Sequence, residues 1–103
     1  MKDLKFSALL DLYGKALTAK QYGFMEQYYH HDYSLFEIAE NESVSRQAVH
    51  ACILNAQKAL LALEDKLGFY ERQCAVRSII ASARSENEPK ALRKALERIE
   101  ELL

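Results

Sequence analysis

The stretch 34–53 carries two helix-start signals with only a short polar segment between them, and this spacing constrains the fold more than any other feature. Ser34 and Glu37 form an S-x-x-E capping box, in which each side chain accepts from a backbone N–H at the start of the helix. A second start signal follows at Ser45. An apolar face comes after each signal: Leu35, Ile38 and Ala39 after the first, and Val49, Ile53 and Ala56 after the second. The spacing therefore predicts two helices joined by a tight turn.

Two helices joined in this way form a helix-turn-helix, which places the N-terminus of the second helix against nucleic acid. An arginine can bridge guanine O6 and N7, a glutamine can bridge adenine N6 and N7, and the N–H groups at a helix start can hold a phosphate. We take the following residues as candidate nucleic-acid contacts: Ser45, Arg46, Gln47, His50 and Lys58.

Two observations favour a different use of this segment. The formal net charge is −1 and no basic face is evident, whereas affinity for nucleic acid depends on neutralising phosphates. Ser45 would then only cap its helix, and Arg46 would pair with an acid such as Glu42. Leu54, expected on the exposed face, fits a protein partner at least as well as a base edge.

The composition predicts an all-α protein, because three Gly and one Pro are too few for the turns of a β-protein. Asp3 is the expected cap of a first helix, whose apolar face runs from Phe6 to Leu17. A T-x-x-Q capping box at Thr18 opens a second helix. The helix-turn-helix at 34–53 follows.

The second helix of the motif is expected to continue for some six turns, to about Gly68, because its apolar seam extends to Leu67. We predict a helix-turn-helix domain over 1–68, and over 69–103 an extension of one or two helices that packs on the long helix or on a second subunit. The candidate partner interface, which would serve a homodimer, consists of Leu54, Leu60, Leu63 and Leu67.

No pattern in the chain indicates catalysis, since it lacks a Gly-rich phosphate loop, a nucleophile elbow and a paired-carboxylate motif. We expect no enzyme activity, no cofactor and no metal. Cys52 and Cys74 lack metal-ligand spacing and are expected to be buried free thiols. The N-terminus lacks the apolar run of a signal peptide and no stretch reaches membrane-spanning length, so we expect a soluble, cytoplasmic protein with no membrane partner.

The segments 17–21, 32–40 and 44–49 together resemble region 4 of sigma factors, the four-helix module without a wing that reads a promoter element. The chain is more similar still to the YlxM family of small bacterial helix-turn-helix proteins, over about residues 4–70. The resemblance lies in the Tyr28-Tyr29 pair, the Asp-Tyr-Ser-Leu segment, the Val-Ser-Arg-Gln-Ala-Val segment and the end of the long helix. The chain differs from the family pattern at Ser43, where the family usually has Gly, and at 54–57, where relatives commonly have Lys-Arg. For a residue other than Gly, a left-handed backbone conformation in that turn would cost roughly 1 kcal/mol.

The resemblance implies a regulatory protein linked to the signal recognition particle pathway. It points to DNA or signal recognition particle RNA as the nucleic acid, and to the particle's GTPase as a protein partner. The alternative is a protein-interaction adaptor that keeps the helix-turn-helix fold without binding nucleic acid and acts as a homodimer. The loss of Lys-Arg at 54–57 leaves Arg46, His50 and Lys58 as the nearest cations.

Overall fold

The computed structural model describes residues 2–103, and it contains helices and connecting turns but no strand within that range. The helices are α1 Leu4–Tyr13, α2 Ala19–Tyr29, α3 Leu35–Glu42, α4 Arg46–Leu67, α5 Phe69–Arg84 and α6 Pro89–Leu102. The all-α prediction is confirmed, and the long helix ends where the sequence predicted. The finer likeness to sigma region 4 stays a prediction.

Local hydrogen bonds explain where the first three helices begin. The Asp3 carboxylate accepts from a backbone N–H two residues on, at 2.9 Å. Thr18 and Gln21 form the predicted capping box, with both donor–acceptor distances at 3.1 Å. Ser34 and Glu37 form the second box, at 3.0 and 3.1 Å. Each cap satisfies N–H groups that a helix start leaves without intrahelical partners.

The first helix is shorter than the sequence predicted. It stops at Tyr13, a turn of 3-10 helix covers Gly14–Ala16, and Leu17 is extended. A Cβ at Gly14 would lie 2.7 Å from Cε2 of the Tyr22 ring, which is closer than side-chain contacts allow. The absence of a side chain at Gly14 therefore lets the Tyr22 ring of α2 approach the end of α1.

The chain divides into two compact units, Met1–Leu67 and Gly68–Leu103, and Gly68 adopts a left-handed conformation at φ 64°. In the first unit α1, α2 and α3 all pack on α4. The largest fully buried side chains are Leu9, Leu10, Met25, Ile38, Val49 and Leu60. In the second unit α5 and α6 pack on each other and only Ile79 is buried. Whether 69–103 packs on the long helix or on a second subunit stays a prediction.

The two cysteines occupy different environments. Cys52 is half-buried, and this burial raises the pKa of its thiol. Cys74 is exposed, so the expectation of a buried thiol was wrong there, because the packing of α5 buries only Ile79. Within residues 2–103 no group of three His, Cys, Asp or Glu side chains could hold a metal ion. No helix in the same range is long and apolar enough to cross a membrane.

The close approach at Gly14 can be tested against a matched glycine. Gly14→Ala should lower the free energy of unfolding by about 1–3 kcal/mol, because the new methyl group must displace the Tyr22 ring. Gly23→Ala, inside α2 with no atom within 4 Å of the added Cβ, should raise it by about 1 kcal/mol. Urea unfolding followed by circular dichroism measures both. Equal effects of the two substitutions would contradict the packing assigned to Gly14.

Candidate nucleic-acid interface

The turn between α3 and α4 is held by backbone hydrogen bonds around a left-handed residue. Ser43 has φ 54° and ψ 44°. Its N–H donates to the Glu40 carbonyl at 3.3 Å, and the Val44 N–H donates to the Ala39 carbonyl at 3.1 Å. This is the Schellman arrangement, which ends a helix sharply and satisfies its last carbonyls. It fixes the direction in which the chain leaves α3.

Ser45 caps α4 as the sequence indicated. Its hydroxyl accepts from the Ala48 N–H at 3.0 Å, and its carbonyl accepts from the Val49 N–H at 3.1 Å. The N–H groups of Arg46 and Gln47 lie in the first turn, where the helix offers no acceptor. The start of α4 therefore has free donors and the positive end of a helix dipole, which together favour an anion.

Three of the predicted nucleic-acid contacts fall on one exposed ridge of α4, together with Leu54 from the predicted partner interface. Arg46, His50, Leu54 and Lys58 follow each other at intervals of four residues and all are exposed. Gln47 is exposed beside them. At 1.5 Å per residue, Lys58 lies about 18 Å along the axis from Arg46. Arg46, Gln47 and His50 thus share the helix start, and Lys58 lies apart from them.

Arg46 is not paired with Glu42. The Glu42 carboxylate instead accepts from the Gln27 side-chain amide at 2.9 Å, and that amide's oxygen accepts from Asn41 at 3.2 Å. Across residues 2–103 the Arg46 guanidinium makes no ion pair or hydrogen bond. The charge of Arg46 is therefore available to a ligand.

The structure adds one cation that the sequence analysis missed. Lys20, near the start of α2, lines a shallow depression with Glu42 and Val44, the residues that flank the turn. Its ammonium lies 5.9 Å from the centroid of the Phe24 ring. Sequence alone gave no signal for it, because Lys20 reaches the turn only through the packing of α2 in the folded unit.

The predicted partner residues are not equally accessible. Leu54 and Leu67 are 42% and 44% exposed, Leu63 is half-buried, and Leu60 is fully buried. Since the Leu60 side chain belongs to the core of its own chain, it is not available to a partner. Leu61, which the sequence analysis did not select, is as exposed as Leu54.

The segment 54–57 of α4 includes a residue with a packing role. The Gln57 amide donates to the Tyr29 hydroxyl at 2.6 Å and so joins α4 to α2. Burial raises the pKa of Tyr29, and the hydrogen bond from Gln57 opposes that rise. Gln57 thus faces the helices of its own unit, while Leu54 and Lys58 on either side are exposed.

Comparison with known proteins identifies related chains. The model of the UPF0122 family, described as "Putative helix-turn-helix protein, YlxM / p13 like", matches residues 1–101. A UPF0122 protein of Symbiobacterium thermophilum is 40% identical over 100 residues, covering 93% of this chain and 94% of that protein. One from Acetivibrio thermocellus is 36% identical over 106 residues, covering 92% and 91%.

A third relative is matched over a shorter length. A UPF0122 protein of Clostridium kluyveri is 46% identical over 70 residues, which are 68% of this chain and 63% of that protein. The match therefore spans less than two thirds of the Clostridium kluyveri protein. The names of the family and of these relatives specify no reaction, ligand or partner.

The left-handed turn makes a stability prediction. Ser43→Gly should raise the free energy of unfolding by roughly 0.5–1 kcal/mol, because glycine adopts φ near 54° without a clash of its Cβ. Ser43→Ala keeps the Cβ and should bring no such gain. Urea unfolding of the two variants and the parent chain measures the difference. Equal stability of the glycine and alanine variants would show that Ser43 is not strained.

Proposed function

Since this chain belongs to the UPF0122 family of helix-turn-helix proteins, we propose that it is a regulatory protein that binds duplex nucleic acid with the start of α4. The observation that carries the proposal is the Arg46 guanidinium, exposed and unpaired within the described chain at the first residue of that helix. The capped helix start behind it favours an anion such as a phosphate.

The neighbouring residues have distinct roles in this proposal. Arg46 and Gln47 would read base edges or bind phosphate, and His50 would contact the same groove one turn along the helix. Ser45 would fix the helix start against a phosphate through its backbone. Lys20 would contact the phosphate backbone from α2, and Lys58 a phosphate further along α4.

Duplex DNA and signal recognition particle RNA are the two candidate ligands. Duplex DNA is the usual ligand of a helix-turn-helix. The likeness to the YlxM family adds signal recognition particle RNA, and with it a role in that pathway. A cytoplasmic location and the absence of enzyme activity belong to the same proposal.

Fluorescence anisotropy with random duplex DNA and with signal recognition particle RNA tests the role of Arg46. Affinity for the true ligand should fall steeply between about 50 and about 200 mM salt, because bound phosphates release counterions. Arg46→Ala should weaken binding and reduce the slope of log affinity against log salt by about 1. Lys66→Ala, at the far end of α4, is the matched control and should leave the slope unchanged.

Three results would contradict nucleic-acid binding through this helix start. They are no binding of either ligand at low salt, binding that is indifferent to salt, and equal effects of the two variants.

A second candidate function rests on the exposed leucines of α4. Leu54 and Leu61 are each 42% exposed and stand two helical turns apart on α4. Exposed leucines at this spacing are typical of a helix that docks on another protein. The segment 54–57 also carries no cationic side chain. On this candidate the chain is an adaptor, and the signal recognition particle's GTPase is the first partner to test.

The adaptor function predicts a different response to mutation. Leu54→Glu should weaken binding to the purified GTPase at least tenfold, because a carboxylate would be buried in the interface. Binding should be nearly independent of salt and unaffected by Arg46→Ala. Leu4→Glu changes a leucine that is 80% exposed on α1 and serves as the control. Isothermal titration calorimetry measures each affinity, and no binding of the parent chain would exclude this partner.

A further inference from the structure

The C-terminal unit lacks a core of its own. The α5–α6 hairpin is closed by a short loop at 85–88, α6 has no buried residue, and α5 has only Ile79. Units below about 40 residues rarely bury enough apolar surface to be stable alone and usually depend on a disulfide, a metal or another subunit. The described residues contain no disulfide and no metal-binding group. The hairpin therefore needs further apolar cover.

One face of the hairpin offers the surface for that cover. Two open grooves meet at Ile80, one running toward the start of α5 and the other along α6. We call this surface the hairpin groove, and its apolar residues include Phe69, Ile80, Leu92, Leu96, Ile99 and Leu103. Leu96 is 68% exposed and Leu103 is 83% exposed. Leucines this exposed on one continuous face mark an interaction surface.

The two edges of the hairpin groove carry opposite charge. On the α5 side, Arg77 and Arg84 line the groove. On the α6 side, Glu100 lies one helical turn from both Leu96 and Leu103, with Glu97 and Arg93 further out. The α5 edge is thus basic and the α6 edge has an excess of acid. Within the described chain none of these five side chains forms an ion pair.

A second copy of the chain matches this pattern. A twofold axis parallel to the helices would lay α5 of one copy over α6 of the other, so that each basic edge faces an acidic edge. A twofold axis perpendicular to the helices and in the plane of the interface would instead place each basic edge against the other basic edge and each acidic edge against the other acidic edge. We propose that the hairpin groove is the interface of a homodimer with the first arrangement, in which Arg77 faces Glu100 of the other copy. The proposal is independent of nucleic-acid binding.

Sedimentation equilibrium of the full chain tests this interface. The parent chain should sediment at twice its mass of 11.8 kDa. Leu96→Glu should raise the dimer Kd roughly 30-fold or more, the size of a hot-spot loss, because it places a carboxylate in the centre of the interface. Leu103→Glu, at a side chain that is 83% exposed just after α6, should act in the same direction with less risk to folding. Leu4→Glu, on α1, should leave the dimer intact.

A charge swap tests the arrangement. Arg77→Glu alone and Glu100→Arg alone should each weaken the dimer, and the double variant should recover most of the loss. Circular dichroism confirms that each variant keeps its helix content. If the double variant dimerises no more tightly than the single variants, the arrangement with the twofold axis parallel to the helices is overturned.

Other occupants of the hairpin groove give different results. A monomeric parent chain would overturn the proposal and leave the groove to the long helix of the same chain or to another protein. A dimer that survives Leu96→Glu and dissociates with Leu54→Glu would overturn it in favour of the ridge on α4.

Discussion

Burial of one stripe of α4 determines the arrangement of the N-terminal unit. Val49, Ile53, Ala56 and Leu60 are at most 3% exposed, and α1, α2 and α3 all pack on this helix. Burial of each of the larger side chains contributes about 1.5–3 kcal/mol. Because Val49 is fixed only three residues from the start of α4, rotation of that start would expose the stripe. The same packing that stabilises the unit therefore orients Arg46 and Gln47.

The buried stripe of α4 accounts for part of its exposed ridge. In a helix of 3.6 residues per turn, fixing Val49 and Ile53 inward turns Leu54 outward and leaves His50 at the edge of the packed face. Arg46 is exposed because it is the first residue of α4, before the stripe begins at Val49. The Gln57–Tyr29 hydrogen bond fixes the edge between the two faces. Leu54 lies between the polar side chains of His50 and Lys58 on this ridge, and both proposed functions use it. They differ in whether the charged start or the apolar middle makes the decisive contact.

Features that depend on neighbours in sequence were predictable, and features that depend on tertiary packing were not. The capping boxes at Thr18 and Ser34 need residues only three positions apart, so their signal is local. The close contact at Gly14 is made by the Tyr22 ring, which comes from another helix. The hydrogen bond that Gln27 donates to Glu42 also joins two different helices, and so it too depends on tertiary packing. Leu60 shows a further limit, because an apolar seam looks the same whether it packs within a chain or between chains.

The small number of cations near α4 has a consequence for the proposed nucleic-acid function. Phosphate contacts supply most non-specific affinity, whereas base-edge contacts supply discrimination. In the proposed interface Lys20 lines the same depression as Glu42, and the whole chain has a net charge of −1. Binding to arbitrary sequence would then be weak. A larger share of the affinity for a true target would come from hydrogen bonds made by Arg46 and Gln47, and from the fit of the helix to its groove. A surface of this kind suits a protein that occupies few sites selectively better than one that coats nucleic acid.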